Sequence, residues 1–400
     1  MTQTERPTTI LKHPAMQVFA GFSLIGFSVF SFLIANDLPQ LAWPAYLINV
    51  LLWSAIAQGG LLFSIVMHVT KARWSHALSG FSEAFASFFP VSFLLFLILI
   101  LGKDYIFPWM HADLHGKDLW LNVTFLFSRD LTGLFILYGL GFAFLYYSLG
   151  LKLGNHPPHG KIRTILHKLW SKSLMNIDRC KSRITLFSVL YIIAYAFVLS
   201  LIAFDLIMSA DPHWISTLFG AYGFVKAFYI GLGGLVILAS IIFLKYGDRS
   251  GVTASHFHDL GKLFFGFCLI WGDFFYAQFI VIWYGNIPEE TSYIIQRTML
   301  FPWKPLAWVV LSVCFVIPFF ILLNRKIKTK PVFMTVLCSC VIIGILLEHL
   351  LLLGPALSPD IGITVQILVT GLIFLGFFGL MGLAVSFFLH LFPEQVINSQ

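Results

Sequence analysis

The sequence predicts an all-α integral membrane protein of about ten transmembrane helices, with both termini in the cytoplasm. Three observations lead there. Of the 400 residues, 58% are hydrophobic and only 11% are charged, with a mean hydropathy of +0.88. A water-soluble surface of this size needs far more charge. Ten apolar runs reach the roughly 20 residues needed to cross a bilayer. Finally, lysine and arginine concentrate in alternate connections, which sets orientation.

The runs lie at about 16–35, 43–70, 84–101, 121–150, 185–208, 214–243, 258–283, 303–323, 332–352 and 362–391. The first ends in Ile34-Ala35-Asn36-Asp37, a poor cleavage site, so it reads as a retained helix rather than a signal peptide. The second carries Gln58-Gly59-Gly60 and the sixth Gly233-Gly234. Both run from outside to inside. This weak echo fits two parallel four-helix units, spans 2–5 and 6–9, although paired glycines also mark close helix contacts. The seventh stops abruptly at Trp283-Tyr284-Gly285-Asn286-Ile287-Pro288. As segments of a single membrane domain, the divisions are 1–35, 43–208, 214–352 and 362–400.

Outside the spans, 18 basic residues fall on one side. They are Arg6 and Lys12; Lys71 and Arg73; eight between spans 4 and 5; Lys245 and Arg249; and Arg325, Lys326, Lys328 and Lys330. Only Lys103, Lys117, Arg297 and Lys304 fall on the other. The basic 4–5 loop, with His156-Pro157-Pro158-His159, sets orientation or holds anionic lipid. The outer loops "GKDYIFPWMHADLHGKD" and "YGNIPEETSYIIQRTMLFPWKP" are rich in aromatics and prolines. They read as packed surface against external partners or as an interfacial aromatic belt.

Several functions are excluded. No basic run is interleaved with aromatics in the way a nucleic-acid groove requires. The five cysteines form no C-x-x-C, haem-attachment or zinc pattern, and there is no phosphate loop or nucleophile triad. His68 and His390 share a depth, but His349 stands alone on the other side, so haem b ligation is rejected. The chain is expected to hold no metal or redox cofactor itself.

Charged residues inside spans are costly and point to an ion path or an internal pair. Near the cytoplasmic face lie His68, Glu83, Asp259 and Lys262; near the middle, Lys226 and Asp273; toward the outside, Arg129, Asp130, Asp205, Glu348 and His349. At about 100° per residue, Asp259, Lys262, Gly266, Asp273 and Tyr276 share one arc of span 7, and Tyr222, Lys226, Tyr229 and Gly233 share one of span 6. Two such stripes on consecutive helices read as a buried proton path; the alternative is a set of pairs that lock the bundle. Lys226 and Asp273 have opposite charge and similar depth, about 15–18 Å from the outer face by helical rise. They are therefore expected to form a buried ion pair.

The stretches "FDLIMSADPHWISTLFGAYGF" (204–224), "HDLGKLFFGFCLIWGDFFYAQFIVIWYGNIPEET" (258–291) and "SAIAQGGLLFSIVMHVTKARW" (54–74) resemble a membrane subunit of bacterial alternative complex III. That complex is a quinol:acceptor oxidoreductase with two large integral subunits. Both resemble the membrane subunit of polysulfide reductase (NrfD-like). The resemblance is to the one of the two that lacks a clear quinol-oxidation site, and it covers nearly the whole chain. It implies two four-helix bundles flanked by spans 1 and 10, in a bacterial inner membrane. It also implies several partners: the sister NrfD-like integral subunit, an external iron–sulfur subunit, multihaem cytochrome c subunits and membrane lipids. Haem c and iron–sulfur clusters would reside in those partners, and quinol or menaquinol binding to this chain stays open. A proton-path role would carry over to Asp205, Asp211, His213, Tyr222, Asp259, Lys262 and Gln278. The sequence departs from the family at Asp273, where an aromatic is usual, and at Lys226, where a small residue is. The function expected is an integral subunit of a quinol-oxidising respiratory complex that carries protons and docks the electron-transfer subunits. The alternatives are a quinol-binding anchor of another NrfD-like reductase and a stand-alone proton-coupled transporter.

Overall fold

A computed structural model describes residues 14–396, apart from 112–113, 115, 155–156, 158–159 and 174–175. Arg6, Lys12 and most of the His-Pro-Pro-His segment lie outside the described residues. Among the described residues, ten helices are long and apolar enough to cross a membrane. We number these spans 1 to 10: Pro14–Ala35, Pro39–Val69, Arg73–Ile106, Val123–Leu153, Ile177–Ala210, Phe219–Ser250, Ala254–Gly285, Trp303–Leu323, Pro331–Leu357 and Ile363–Leu391. The all-α membrane class and the span count agree with the sequence reading, and no strand occurs among the described residues.

Three span starts move by five residues or more. Span 3 begins at Arg73 rather than near 84, because its first turns bury Ser82 and Glu83 inside the protein instead of exposing them. Span 5 begins at Ile177, capped by Asn176, whose side chain accepts from the Arg179 amide, so a basic helical stem precedes its apolar part. Span 6 begins at Phe219 rather than 214. Lys226 is then seven residues past the helix start, about 10 Å along the axis rather than 18 Å.

Spans 2 to 5 pack around one another, as do spans 6 to 9. The two groups meet along spans 2 and 6, with spans 5 and 9 joining the contact. Spans 1 and 10 pack on each other beside span 2. They do so through glycines: a Cβ at Gly26 would overlap the Gly376 backbone. Span 2 is the most enclosed helix, and spans 1 and 7 are the least. Among the described residues, three short α-helices lie outside the spans, Lys161–Ser173 and Arg325–Lys328 on the lysine-rich side and Pro288–Thr298 on the opposite side.

An even number of crossings puts both termini on one face. With the basic residues partitioned as above, a reporter fused after Met110 is expected to read outside, and one fused after Trp170 inside. Fusion activities in the reverse order would invert the topology.

Candidate functional site

Among the described residues, the buried charges within the spans gather into three clusters, two in the first bundle and one in the second. At the outer end of the first bundle, Arg129 on span 4 forks onto Asp205 on span 5. Its Nε donates to Oδ2 at 2.5 Å and its Nη2 to Oδ1 at 2.6 Å. The third guanidinium nitrogen donates to the Trp120 carbonyl at 3.0 Å, while the Trp120 indole donates to Asp205 Oδ1 at 3.1 Å and its ring lies 4.0 Å from the guanidinium carbon. Such bidentate geometry fixes both groups. Beside the pair stands Asp130, 0% exposed and facing Asp205, with neither carboxylate oxygen hydrogen-bonded among the described residues. Above the cluster opens a cavity of about 1230 Å³, lined by Trp120, Phe125, Phe204, Met208 and Trp214 among others.

At the inner end, Glu83 is fully buried and its Oε1 accepts from Ser64, Ser148 and Lys152 at 3.2, 2.7 and 2.6 Å. His68 lies close by but is exposed, 3.4 Å from the Thr185 hydroxyl. Between the ends, Gln58 donates to the Tyr138 hydroxyl at 3.0 Å, Ser92 is 2.9 Å from that hydroxyl, and Tyr191 donates to the Gln58 carbonyl. Asp130, Tyr138 and Ser148 all lie on the buried face of span 4. Their separations of eight and ten residues correspond to about 12 and 15 Å of rise. Leu134, Leu137, Phe144 and Leu145 occupy the gaps. A proton cannot hop such distances directly, so these are separate layers that only entering water would join.

In the second bundle, Lys226 on span 6 donates to Glu348 Oε1 on span 9 at 3.0 Å, and Tyr222 donates to the same oxygen at 2.5 Å. Glu348 is 1% exposed. His349 is also buried and bonds the Ile345 carbonyl through Nδ1 at 2.8 Å. Lys226 and His349 border a cavity of about 40 Å³ between the bundles, with Ser54 of span 2 on its far wall. That is room for one or two waters.

The expected Lys226–Asp273 pair does not form. Span 7 turns Phe264, Cys268 and Trp271 inward, at the 3–4 spacing that packs a helix. Asp273 lies two residues past Trp271, hence on the far side, and is exposed. Lys226 finds its counter-ion on span 9 instead. The rest of the span 7 arc also faces away from the bundle. Lys262 donates to Asp259 at 3.0 Å in an exposed i,i+3 pair, and Tyr276 is 61% exposed. The span 7 stripe is therefore an outer face and not one half of a buried path.

The remaining residues scatter. Gln278 is half-buried on span 7, and His213 is exposed in the outer 5–6 connection. Asp211 lies 3.9 Å from Arg297, whose guanidinium donates to the Leu352 and Tyr293 carbonyls. Tyr293 stacks on Trp214 at 4.0 Å, and burial pushes its hydroxyl up to about 12, against the opposing pull of Arg297. On the inner side, burial and then Lys262 and Arg325 lower the Lys328 ammonium. Sequence reasoning missed Ser64, Ser148 and Lys152 around Glu83, the Gln58–Tyr138–Ser92 layer, and Arg163, which is 2% exposed and bonds Glu394 at 2.6 Å. Among the described residues, no group of three or more His, Cys, Asp or Glu is arranged to hold a metal ion. No protein-family model and no curated protein sequence matches the chain.

Proposed function

We propose that this chain is a proton-handling integral subunit of a quinol-oxidising respiratory complex in a bacterial inner membrane. The observation that carries the proton role is a charge count. The inner cluster balances Lys152 against Glu83, and the second bundle balances Lys226 against Glu348. The outer cluster sets one guanidinium, Arg129, against two carboxyls, Asp130 and Asp205, both 0% exposed. Two facing carboxyls beside one cation are neutral only when they hold one proton between them. Asp130 is the group without a donor among the described residues, and Trp120, which bonds both Arg129 and Asp205, lines the wide outer cavity. Glu83 with His68 forms the corresponding inner station, and the Gln58–Tyr138–Ser92 layer lies between. The respiratory setting rests on the sequence motifs of spans 2 and 5–7. The partners are then the sister NrfD-like protein, the iron–sulfur protein and the multihaem cytochromes, with the clusters and haems in those partners. A quinol-binding anchor and a proton-coupled transporter would use the same cluster differently.

The test uses the complex solubilised mildly from its own membranes and returned to liposomes. Asp130→Asn is expected to lower protons moved per electron at least twofold while quinol oxidation is retained, because an amide cannot take and release a proton. An unchanged ratio would leave the cluster a structural one. If no haem- or cluster-bearing protein accompanies the chain, the respiratory setting fails. Proton flux under an imposed gradient then still tests Asp130.

A further inference from the structure

Asp273 is a carboxylate exposed on the flank of span 7, 12 residues from the helix end at Gly285 and 19 from its start at Ala254. That is about 18 Å from the outer end, within the hydrocarbon. Lipid offers it no partner, and a lone charge at that depth costs about 3 kcal/mol or more. Among the described residues, no hydrogen bond or ion pair to Asp273 offsets that cost.

The surface around Asp273 supplies the rest. Gly266, Ile270, Asp273, Ala277 and Ile280 recur at alternating steps of four and three, the spacing of a left-handed helix–helix seam. All five are half-buried or exposed, so the seam faces outward. The space where a Gly266 side chain would stand is empty to 4 Å, and Ala277 is the other small residue, so a second backbone can approach closely at both. A single polar residue within such a seam fixes register and partner.

We infer that this face of span 7 docks a transmembrane helix of a different protein, which presents a lysine, arginine or histidine to Asp273. A second copy of this chain cannot supply that group. Two copies meeting along the seam would bring two carboxylates together, and the described cations in the outer halves of spans 4 and 6, Arg129 and Lys226, are bonded to Asp205 and Glu348. The inference needs only the ten-span architecture, not the respiratory setting.

The test replaces Ile270, one turn from Asp273, with a photo-crosslinking phenylalanine analogue in the full chain in its native membrane. The expected product joins span 7 to a membrane helix that has a basic residue within one turn of the crosslink. Changing that residue to leucine, or Asp273→Leu alone, is expected to lower recovered assembly about tenfold to a hundredfold, and the double change to recover most of it. Crosslinks to lipid or to a second copy, or an Asp273→Leu chain that assembles normally, would overturn the interface. A partner with no redox role would confirm it while removing the respiratory setting.

Discussion

Lys226→Met is expected to cost the isolated protein about 3–5 kcal/mol of stability, the usual loss on removing one member of a buried ion pair. The Glu348 carboxylate would keep only the Tyr222 hydroxyl as a donor, since its second oxygen has no partner among the described residues. Glu348→Leu is expected to cost a similar amount, because it strands the Lys226 ammonium beside a cavity of about 40 Å³ that holds little water. The double change Lys226→Met with Glu348→Leu removes both charges, leaves Tyr222 short of one acceptor and is expected to recover most of the loss. Asp273→Asn in the same isolated protein should shift the midpoint little, because Asp273 has no partner to lose among the described residues. The readout is denaturant or thermal unfolding in detergent. Additive losses in the double variant, or a destabilising Asp273→Asn, would remove the Lys226–Glu348 pair as the organising contact of the second bundle.

That pair also shows where sequence reading stops. Hydropathy places all ten spans, because a run of some 20 apolar residues has few other uses. Helical periodicity places Tyr222 and Lys226 on one face of span 6, and the structure keeps them together. Periodicity says nothing about which neighbour a face meets, however. Glu348 follows Lys226 by 122 residues, and only tertiary packing brings the two together. On span 7 the cost of charge in lipid argues for the polar arc as the inner face, but the bulky Phe264 and Trp271 compete for the core and win. Arg129, Asp130 and Asp205 are each visible as charges in apolar runs, but not as a cluster. Ser64, Ser92 and Ser148 are invisible, since a serine in a membrane helix costs little and carries no signal until a buried carboxylate or phenol stands opposite.

Gly59→Leu is expected to prevent the two bundles from seating on each other. Spans 2 and 6 cross where the chain has no side chains to separate them. A Cβ on Gly59 would fall inside the Ala227 carbonyl, and one on Gly231 would overlap the Gly59 backbone. Backbone is the neighbour in both cases, so no rotamer change relieves the clash. Small residues at such a crossing let dispersion forces hold two helices that share no hydrophobic drive in lipid. Even Gly59→Ala forces the helices apart and is expected to cost about 1–3 kcal/mol, against the roughly 0.5–1 kcal/mol that alanine normally gains over glycine in a helix. The consequence extends beyond stability. Span 6 carries Lys226 and span 2 carries Ser54, so separating them opens the small cavity at Lys226 and His349 to water or lipid. Gly139→Ala supplies the control: it is a mid-span glycine with nothing within 4 Å of a new Cβ, and it should be neutral or slightly stabilising. Comparable unfolding midpoints for Gly59→Ala and Gly139→Ala would mean that the bundles do not meet at Gly59. A large loss confined to Gly59 would fix the crossing of spans 2 and 6 as the joint on which the geometry of both bundles depends.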